Sequence, residues 1–475
     1  MKVLLIVPPA QFFIESYVTK KLDKGREFRQ KLGLLYVAGH LRKLTNITPR
    51  IIDCLADGLN LESLGNLIRE EKPDIVGFSV LTFNLLDCLA VAQMVKTQSP
   101  ITKICFGGFH ATLYPIETLQ LPNVDYVVLG EGEITFAELV KTMMAGQTTV
   151  EALRQIDGLG FKDGDVPVIN LPRNPVSDLD ALALPAHDLV DLNKYTVVLA
   201  DESKVASIQT SRGCPSKCVF CDIRLTKYRY RSEENVLEEI TLLNNMGVNE
   251  FFLIDDTFTI NKNRVLRLCK LLIEKKLGIR FKISSRIDRI DAEMLDQLAK
   301  AGCYRIHYGV ESGSQRILDY LQKDISVDSV VSVFEMTKKA GIEVFAYMMV
   351  GIPTETMEDI EMSFRLVGRI MPDHVNYSIC TPFPKTYLYE RSLQYQKIPD
   401  DYWHDFAKHP REDFKIRTMN EYFDEGTLRK IQDLALRKFY SSPKVILREI
   451  RKTKSMKQLL LKAKMGIRLL IPRFS

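Results

Sequence analysis

Short apolar runs alternate with helical patterns along the first 145 residues. "KVLLIVPP", "PRIID", "PDIVGFSV", "TKICFGG" and "VDYVVLGEGE" each end in Gly, Pro or polar residues, and "LGLLYVAGHLRKL", "ESLGNLIREE", "LLDCLAVAQMVK" and "ITFAELVKTMMA" separate them. Continuous apolar strands joined by helices predict a parallel sheet covered on both faces. Such sheets bind ligands at the carboxyl ends of their strands. Ser79 and Leu81 follow the third predicted strand, with Thr82 next, Gly107-Gly108 follow the fourth, and Gly130-Glu131-Gly132 follow the fifth. Paired glycines let a backbone approach a ligand that a Cβ would obstruct.

Between 148 and 200 the pattern loosens. "QIDGLGFKDGDVPVIN" predicts a hairpin turning at Asp163-Gly164-Asp165, and the Pro- and Asp-rich "LPRNPVSDLDALALPAHDLVDLNKY" predicts a linker, with His187 in a surface or capping role. A second alternating series then begins: "VASIQTS", "NEFFLIDD", "IRFKISS", "YRIHYGVES", "IEVFAYMMVGI" and "HVNYSICTPF", with helices such as "SEENVLEEITLLNNMG" and "VDSVVSVFEMTKKAG" between them. Six strand–helix units over 201–395 predict an open barrel of the TIM type, with its site at the strand ends. Residues 396–475 read as a helical region with a basic tail, since ten Lys or Arg face one acidic residue from 443 to 475. The fold class is thus α/β: a Rossmann-like sheet over 1–147, a partial (β/α)6 barrel, and helices.

Composition changes this picture little. The chain has 475 residues, 46% hydrophobic, with a net charge of +5 that does not argue for nucleic acid. Its longest apolar runs are too short to cross a bilayer, and "MKVLLIVPP" reads as a strand rather than a signal peptide. Nine cysteines, six of them scattered in apolar stretches, suit a reducing cytoplasm.

The other three cysteines lie within eight residues in "SRGCPSKCVFCDI". Zinc usually takes two pairs of ligands, but no second C-x2-C lies nearby. A disulfide framework suits a small secreted chain. An iron–sulfur cluster with one iron left open for a substrate needs three thiolates on one short loop.

Cys214, Cys218 and Cys221 match the C-x3-C-x2-C spacing of the radical S-adenosylmethionine (SAM) enzymes, and Phe220 matches their aromatic before the third cysteine. The chain resembles that family over about 200–390. Its S-x-L and G-G segments resemble the cobalamin-binding domain that precedes the barrel in one branch of it. The resemblance implies a 4Fe-4S cluster on the three cysteines, with SAM on its open iron. Phe220, Asp255, Asp256, Ser284, Arg286, Glu311 and Ser312 would then contact SAM. Cobalamin would lie against Ser79, Leu81, Thr82, Gly107, Gly108, Gly130, Glu131 and Gly132. "VGIPTET" resembles the family's segment beside adenine. "TPFPKTYLY" resembles a TPFPGTPLY-like segment, from which Lys385 and Tyr387 depart. Cobalt-ligating members carry D-x-H-x-x-G after the first strand. Here that loop reads "VPPAQFF" without His, while "DCLADG" imitates the motif after the second strand with Leu55 in the His place. The lower cobalt face is expected to lack a protein His.

The implied reaction is C-methylation of an unactivated carbon, with oxidative cyclisation or ring rearrangement as alternatives on the same cofactors. An electron donor such as flavodoxin or ferredoxin and a small, lipophilic substrate are the expected partners. Tyr304, His307, Tyr308, Tyr347 and Tyr377 flank the barrel strand ends as candidate substrate contacts. A methylthiotransferase would need a second cluster, for which only Cys54, Cys88 and Cys105 are on offer. A non-enzymatic cobalamin sensor would not need the cysteine loop. The basic stretch 443–475 interleaves cations with Leu, Ile and Met, a pattern suited either to an anionic membrane surface or to packing on the barrel.

Overall fold

The computed structural model describes residues 1–14, 29–195 and 204–452. They fall into two compact units: Met1–Ser16, Phe28–Tyr195 and Asp400–Lys415 form unit 1, and the remainder forms unit 2.

Unit 1 is a seven-stranded sheet ordered β2-β1-β3-β4-β5-β6-β7. β1 (Val3–Val7), β2 (Arg50–Asp53), β3 (Ile75–Ser79), β4 (Lys103–Gly107) and β5 (Tyr126–Val128) are mutually parallel. β1 is buried at all five positions, as an apolar strand covered on both faces must be. Strand order reverses between β1 and β3, so the crevice for a ligand opens beyond their carboxyl ends. The hairpin β6 (Leu159–Asp163) and β7 (Val166–Ile169) extends the sheet antiparallel at its edge. The stretch expected to be a linker is docked: Ala186 N–H donates to Leu35 O (3.0 Å), and a Cβ on Gly39 would stand 2.3 Å from Leu184 O. His187, expected at the surface, is buried. "DCLADG" is a single helical turn, Cys54–Asp57, capped by the Asp53 carboxylate and stopped by left-handed Gly58, which accounts for its motif-like look without a ligand.

Residues 400–415 correct the expectation of one continuous C-terminal region from 396. Trp403, Phe406 and Ala407, on helix Tyr402–Lys408, are fully buried, and the segment belongs to unit 1. A chain that returns to an earlier unit leaves no local signature; its apolar residues read simply as one more amphipathic helix.

Unit 2 holds six parallel strands in the order β15-β14-β13-β12-β11-β8, the chain order of an open half-barrel. They are β8 (Val205–Ile208), β11 (Glu250–Leu253), β12 (Arg280–Ser285), β13 (Cys303–Glu311), β14 (Glu343–Val350) and β15 (His374–Ile379). The two-residue strands β9 (Ser211–Arg212) and β10 (Arg229–Tyr230) pair antiparallel and close the loop that carries the three cysteines. Alternation along β13 and β14 separates two faces. Tyr308 reaches Thr337 on helix Val327–Lys339, and Tyr377 on β15 packs edge-on to Phe364 of helix Met357–Ile370, so these two expected substrate contacts are packing. His307 and Tyr347 lie on the opposite face, joined by a 3.0 Å hydrogen bond. Tyr304 binds Glu250 at the amino ends of the strands, away from the site edge.

Lys385 explains one departure from the resembled segment. Its φ is +61°, a left-handed conformation that glycine adopts freely, and its side chain is exposed, so Lys is tolerated at a cost of about 1 kcal/mol. Tyr387, the other departure, lies under the guanidinium of Arg224 in the cysteine loop at 4.8 Å. Helix Pro443–Lys452 buries Val445 and exposes Ile446, Leu447 and Ile450, while most of the basic tail, 453–475, lies outside the described residues.

Candidate active site

The cysteine loop leaves β8 through Gln209-Thr210 and turns at Gly213. Gly213 has φ +87°, and a Cβ there would sit 2.4 Å from Lys227 O, so only glycine closes the turn. Cys214 is pinned through its backbone, with N–H donating to Thr226 Oγ1 (2.9 Å) and C=O accepting from Thr226 N (3.0 Å). Val219 is held from both sides, donating to Leu321 O (3.1 Å) and accepting from Leu388 N (2.9 Å). Cys214 and Cys218 are buried and Cys221 is half-buried. Burial chiefly, with Asp222 and the sulfurs of Cys218 and Cys214 adding, pushes the Cys221 thiol up to about 12. A bound metal centre would favour the thiolates by its positive charge, their protons leaving to solvent. Among the described residues no three metal-binding side chains converge on a single ion. A cubane takes one thiolate at each of three irons, so its ligands need no common point, and the donor set fits it.

The expected SAM contacts divide. Asp255 is buried and accepts from Thr210 N (2.6 Å), Ser211 N (3.0 Å) and Thr210 Oγ1. It anchors the loop, and its burial and three accepted hydrogen bonds set it apart from the exposed Asp256 beside it, where the resemblance implied a pair of SAM contacts. Asp256 accepts from Gly213 N (3.1 Å) and keeps a solvent-accessible edge; the protein crowded around it pushes its pKa up to about 6, with Asp255 and Asp222 adding. Arg286, expected to hold the SAM carboxylate, is committed elsewhere: Nη1 donates to Cys218 Sγ (3.1 Å), Nε to Asp288 (2.8 Å) and Nη2 to Lys323 O. A hydrogen bond to a cluster sulfur tunes the potential of a bound cluster. Ser312 is fully buried against Ser363 of helix Met357–Ile370, and Gly313 lets that helix approach within contact of the backbone, so Ser312 is packing. Glu311, at φ +73°, forms a buried ion pair with Lys323 (2.7 Å). A Cβ on Gly309 would collide with both partners. Lys323 Nζ stands 5.8 Å from the Phe220 ring centroid, so Phe220 and Glu311 belong to one neighbourhood at the mouth. Ser284 is half-buried beside His307 in the β12–β13 register. Sequence reasoning missed Lys323, Thr226 and Arg224, whose roles depend on partners remote in the chain.

In "VGIPTET" the Glu355 carboxyl accepts from Gly351 N (2.6 Å) and Ile352 N (3.3 Å), while its second oxygen is buried without a partner. Burial chiefly, with Asp359 adding, raises its pKa to about 8.

In unit 1 the carboxyl edge of β1, β3 and β4 is apolar. Phe13, Leu81 and Phe109, which follow these three adjacent strands, are all exposed. An apolar rim of this kind marks a ligand surface. Gly108, at φ +90°, brings the two loops into contact, because a Cβ would lie 3.0 Å from Val80 N and O. Gly130 has open space where its Cβ would be. Thr82 is buried and bonded to His110 Nδ1 (3.0 Å), and His110 is fully buried, its pKa lowered to about 4 chiefly by burial. Gln11 and Phe12 N–H both donate to the Asp87 carboxylate, which fixes the His-free loop after β1. The exposed rings of Phe13 and Phe109 and the open space at Gly130 leave this edge accessible to an apolar ligand surface. Glu131 differs from expectation: its carboxylate accepts from Val176 N (3.1 Å) and so holds the docked linker. Ser79 and Gly107 sit at the strand ends, and Gly132 opens helix Gly132–Met144.

Comparison with known proteins follows the same division. The B12 binding domain family matches residues 28–140 and the Radical SAM superfamily matches 208–367. An uncharacterized methyltransferase of Pyrococcus horikoshii is 30% identical over 455 residues, 95% of each chain. An anaerobic magnesium-protoporphyrin IX monomethyl ester cyclase of Cereibacter sphaeroides is 31% identical over 363 residues, 75% of this chain and 59% of that one. Among solved structures, the cobalamin-dependent S-adenosylmethionine radical enzyme OxsB, with aqua-cobalamin and SAM bound, superposes with a TM-score of 0.70 at 16% identity, covering 99% of this chain and 72% of that one. The radical SAM methyltransferase TsrM of Kitasatospora setae gives 0.66 at 18%, covering 83% and 76%. At these identities the two structures speak for the fold.

One prediction follows from Glu355. Folding favours its protonated form, so its contribution to stability is complete below about pH 4.5 and is lost as the pH rises through about 8. Replacing Glu355 by Gln removes that loss. Thermal melts from pH 5 to 9 should show the variant gaining on the parent as the pH rises, and equal pH slopes would contradict the assignment.

Proposed function

Since the chain belongs to the radical SAM enzymes that carry a B12-binding domain, we propose that it is a cobalamin-dependent radical SAM methyltransferase acting on an unactivated carbon. The observation that carries this reading is one chain holding both the three-cysteine loop and an apolar, glycine-gated strand edge of the kind a corrin needs. When bound, the cluster with SAM supplies a carbon radical that abstracts hydrogen, and cobalamin supplies a methyl carrier. The residues of this chain do the rest. Cys214, Cys218 and Cys221 hold the cluster, and Arg286 donates to the Cys218 sulfur. Asp256, at the mouth beside Gly213, is the acid left to receive the SAM ammonium group. Phe220 and the Glu311–Lys323 pair border the adenosine. His307 and Tyr347 present a fixed hydrogen-bonding pair to the substrate, with the His307 ring stacked on Phe345 at 4.6 Å.

Ring closure is the second reading, favoured by the identity to the cyclase. The methylthiotransferase reading is disfavoured by its own cysteines. Cys54, Cys88 and Cys105 are buried in the core on separate elements, at the start of helix Cys54–Asp57, on helix Leu85–Gln98 and on β4, rather than on one loop. For the tail we infer peripheral contact with an anionic membrane through exposed Ile446, Leu447 and Ile450 and the cations around them, about 1 kcal/mol per Lys or Arg, while buried Val445, and Arg448 bonded to Pro372 O and Asp373 O, hold the helix to unit 2. Among the described residues no helix is long and apolar enough to cross a membrane.

Two measurements test these readings. Anaerobically reconstituted protein given SAM and reductant should yield 5′-deoxyadenosine, and Cys214→Ala, Cys218→Ala or Cys221→Ala should reduce it to background. With substrate, methylation also yields S-adenosylhomocysteine, whereas ring closure yields 5′-deoxyadenosine alone. A triple variant that still cleaves SAM would overturn the cluster assignment. In flotation, the full chain should follow anionic vesicles at low salt and leave them at high salt; indifference to anionic vesicles would remove the membrane contact.

A further inference from the structure

Two chains of contact run from the returning segment 400–415 to a single short turn, Thr82–Asn84, at the strand edge of unit 1. In the first, Trp403 packs edge-on against Phe83 at 6.2 Å. Phe83 directly follows Thr82 and stacks on Phe13 of the apolar rim, also at 6.2 Å, while its carbonyl accepts from Ile14 N (2.9 Å). In the second, His404 Nε2 bonds Glu117 (2.7 Å) and its ring stacks on Tyr114 at 5.9 Å and 14°. Tyr114 lies 5.5 Å from His110, and His110 Nδ1 meets Thr82 Oγ1 at 3.0 Å. The second route ends on the Thr82 side chain and the first on its chain neighbour Phe83, so both meet in one turn. The segment is itself rigid: Asp401 caps its helix through His404 N, and Phe414 packs against Tyr402, Trp403 and Phe406, with Phe406 nearest at 4.2 Å.

We propose that residues 400–415 form a strap that sets the cobalamin slot, with Trp403 and His404 as positioning residues acting through Phe83 and His110 on Thr82. This rests on the cobalamin reading above and extends it to residues outside the B12 binding match, which ends at 140. The loop carrying Thr82 and Phe83 is a short 3-10 turn, Thr82–Asn84, whose local hydrogen bonds run through Leu81 and Asn84, while the Thr82 and Phe83 side chains take their positions from His110, Phe13 and Trp403. The buried His110 ring keeps Nε2 without a hydrogen-bond partner, in a wall that the strap closes from outside. Trp403 touches no ligand in this scheme. It fixes the aromatic that supports the rim, and its contribution is coupling between two sites on one unit. Coupling is reciprocal: what the strap adds to cobalamin affinity, cobalamin returns as strap stability.

The test uses the full chain and hydroxocobalamin. Wild type, Trp403→Ala, Trp403→Phe and His404→Gln are compared by equilibrium dialysis, with cluster iron and circular dichroism recorded for each. Trp403→Ala should bind about tenfold more weakly with iron unchanged, a typical coupling between sites, and Trp403→Phe should restore most of the affinity. His404→Gln keeps a group able to bond Glu117 but loses the ring on Tyr114, and should fall between them. In wild type, hydrogen exchange of peptides spanning 400–415 should slow when hydroxocobalamin is added, which also decides the matter if Trp403→Ala fails to fold. A folded Trp403→Ala that binds as wild type does, or exchange over 400–415 that ignores hydroxocobalamin, overturns the strap. Wild type that binds no hydroxocobalamin overturns the cobalamin reading itself.

Discussion

The carboxylate of Asp255 is the constraint on which unit 2's site depends. It takes two backbone N–H groups and a hydroxyl at Thr210 and Ser211, where β8 ends and the cysteine loop begins. Buried amides left without an acceptor cost about 1–3 kcal/mol each, so the loop departs from the sheet where that acceptor stands. The neighbouring carbonyls are held as well. Arg264 donates to Thr210 O (3.0 Å) and Arg231 to Gln209 O (3.1 Å), and Arg231 is paired in turn with fully buried Glu239. Charges this deep persist when they are paired and hydrogen-bonded, and the network ties two helices, through Glu239 and Arg264, to the loops that carry Arg231 and Asp255. Three thiols on the loop above inherit a fixed origin, and Arg286 then reaches Cys218.

Unit 1 uses a softer device. Its strand edge is apolar and its polar groups are few, so shape comes from glycine geometry at Gly108 and from aromatic packing around Thr82 and Phe83. The difference suits the two tasks. A cluster needs thiolates at fixed corners. A large macrocycle needs area, and area tolerates small displacements better than coordination does.

Both sheets were legible in the chain because buried parallel strands are continuous apolar runs, and helices on both faces force the alternation. The cysteine loop was legible because its ligands are local. What failed had one cause. The family resemblance implies SAM contacts at Asp255, Arg286 and Ser312, yet each meets a protein partner 37 to 68 residues away that no local pattern announces. His187 and the stretch around it looked like a linker because loop composition says nothing of docking. The return of 400–415 to unit 1 was invisible for the same reason: Trp403 and Phe406 announce burial, and no local pattern says against what.

Iron content is the most direct measure of the central claim, that Asp255 anchors the cysteine loop. Asp255→Asn keeps an acceptor for both amides and a donor for Thr210 Oγ1; Asp255→Ala keeps neither. After anaerobic reconstitution the Asn variant should carry the iron of the parent protein and the Ala variant should carry little, with both sheets still folded by circular dichroism. An Ala variant that loads iron like its parent would contradict the account.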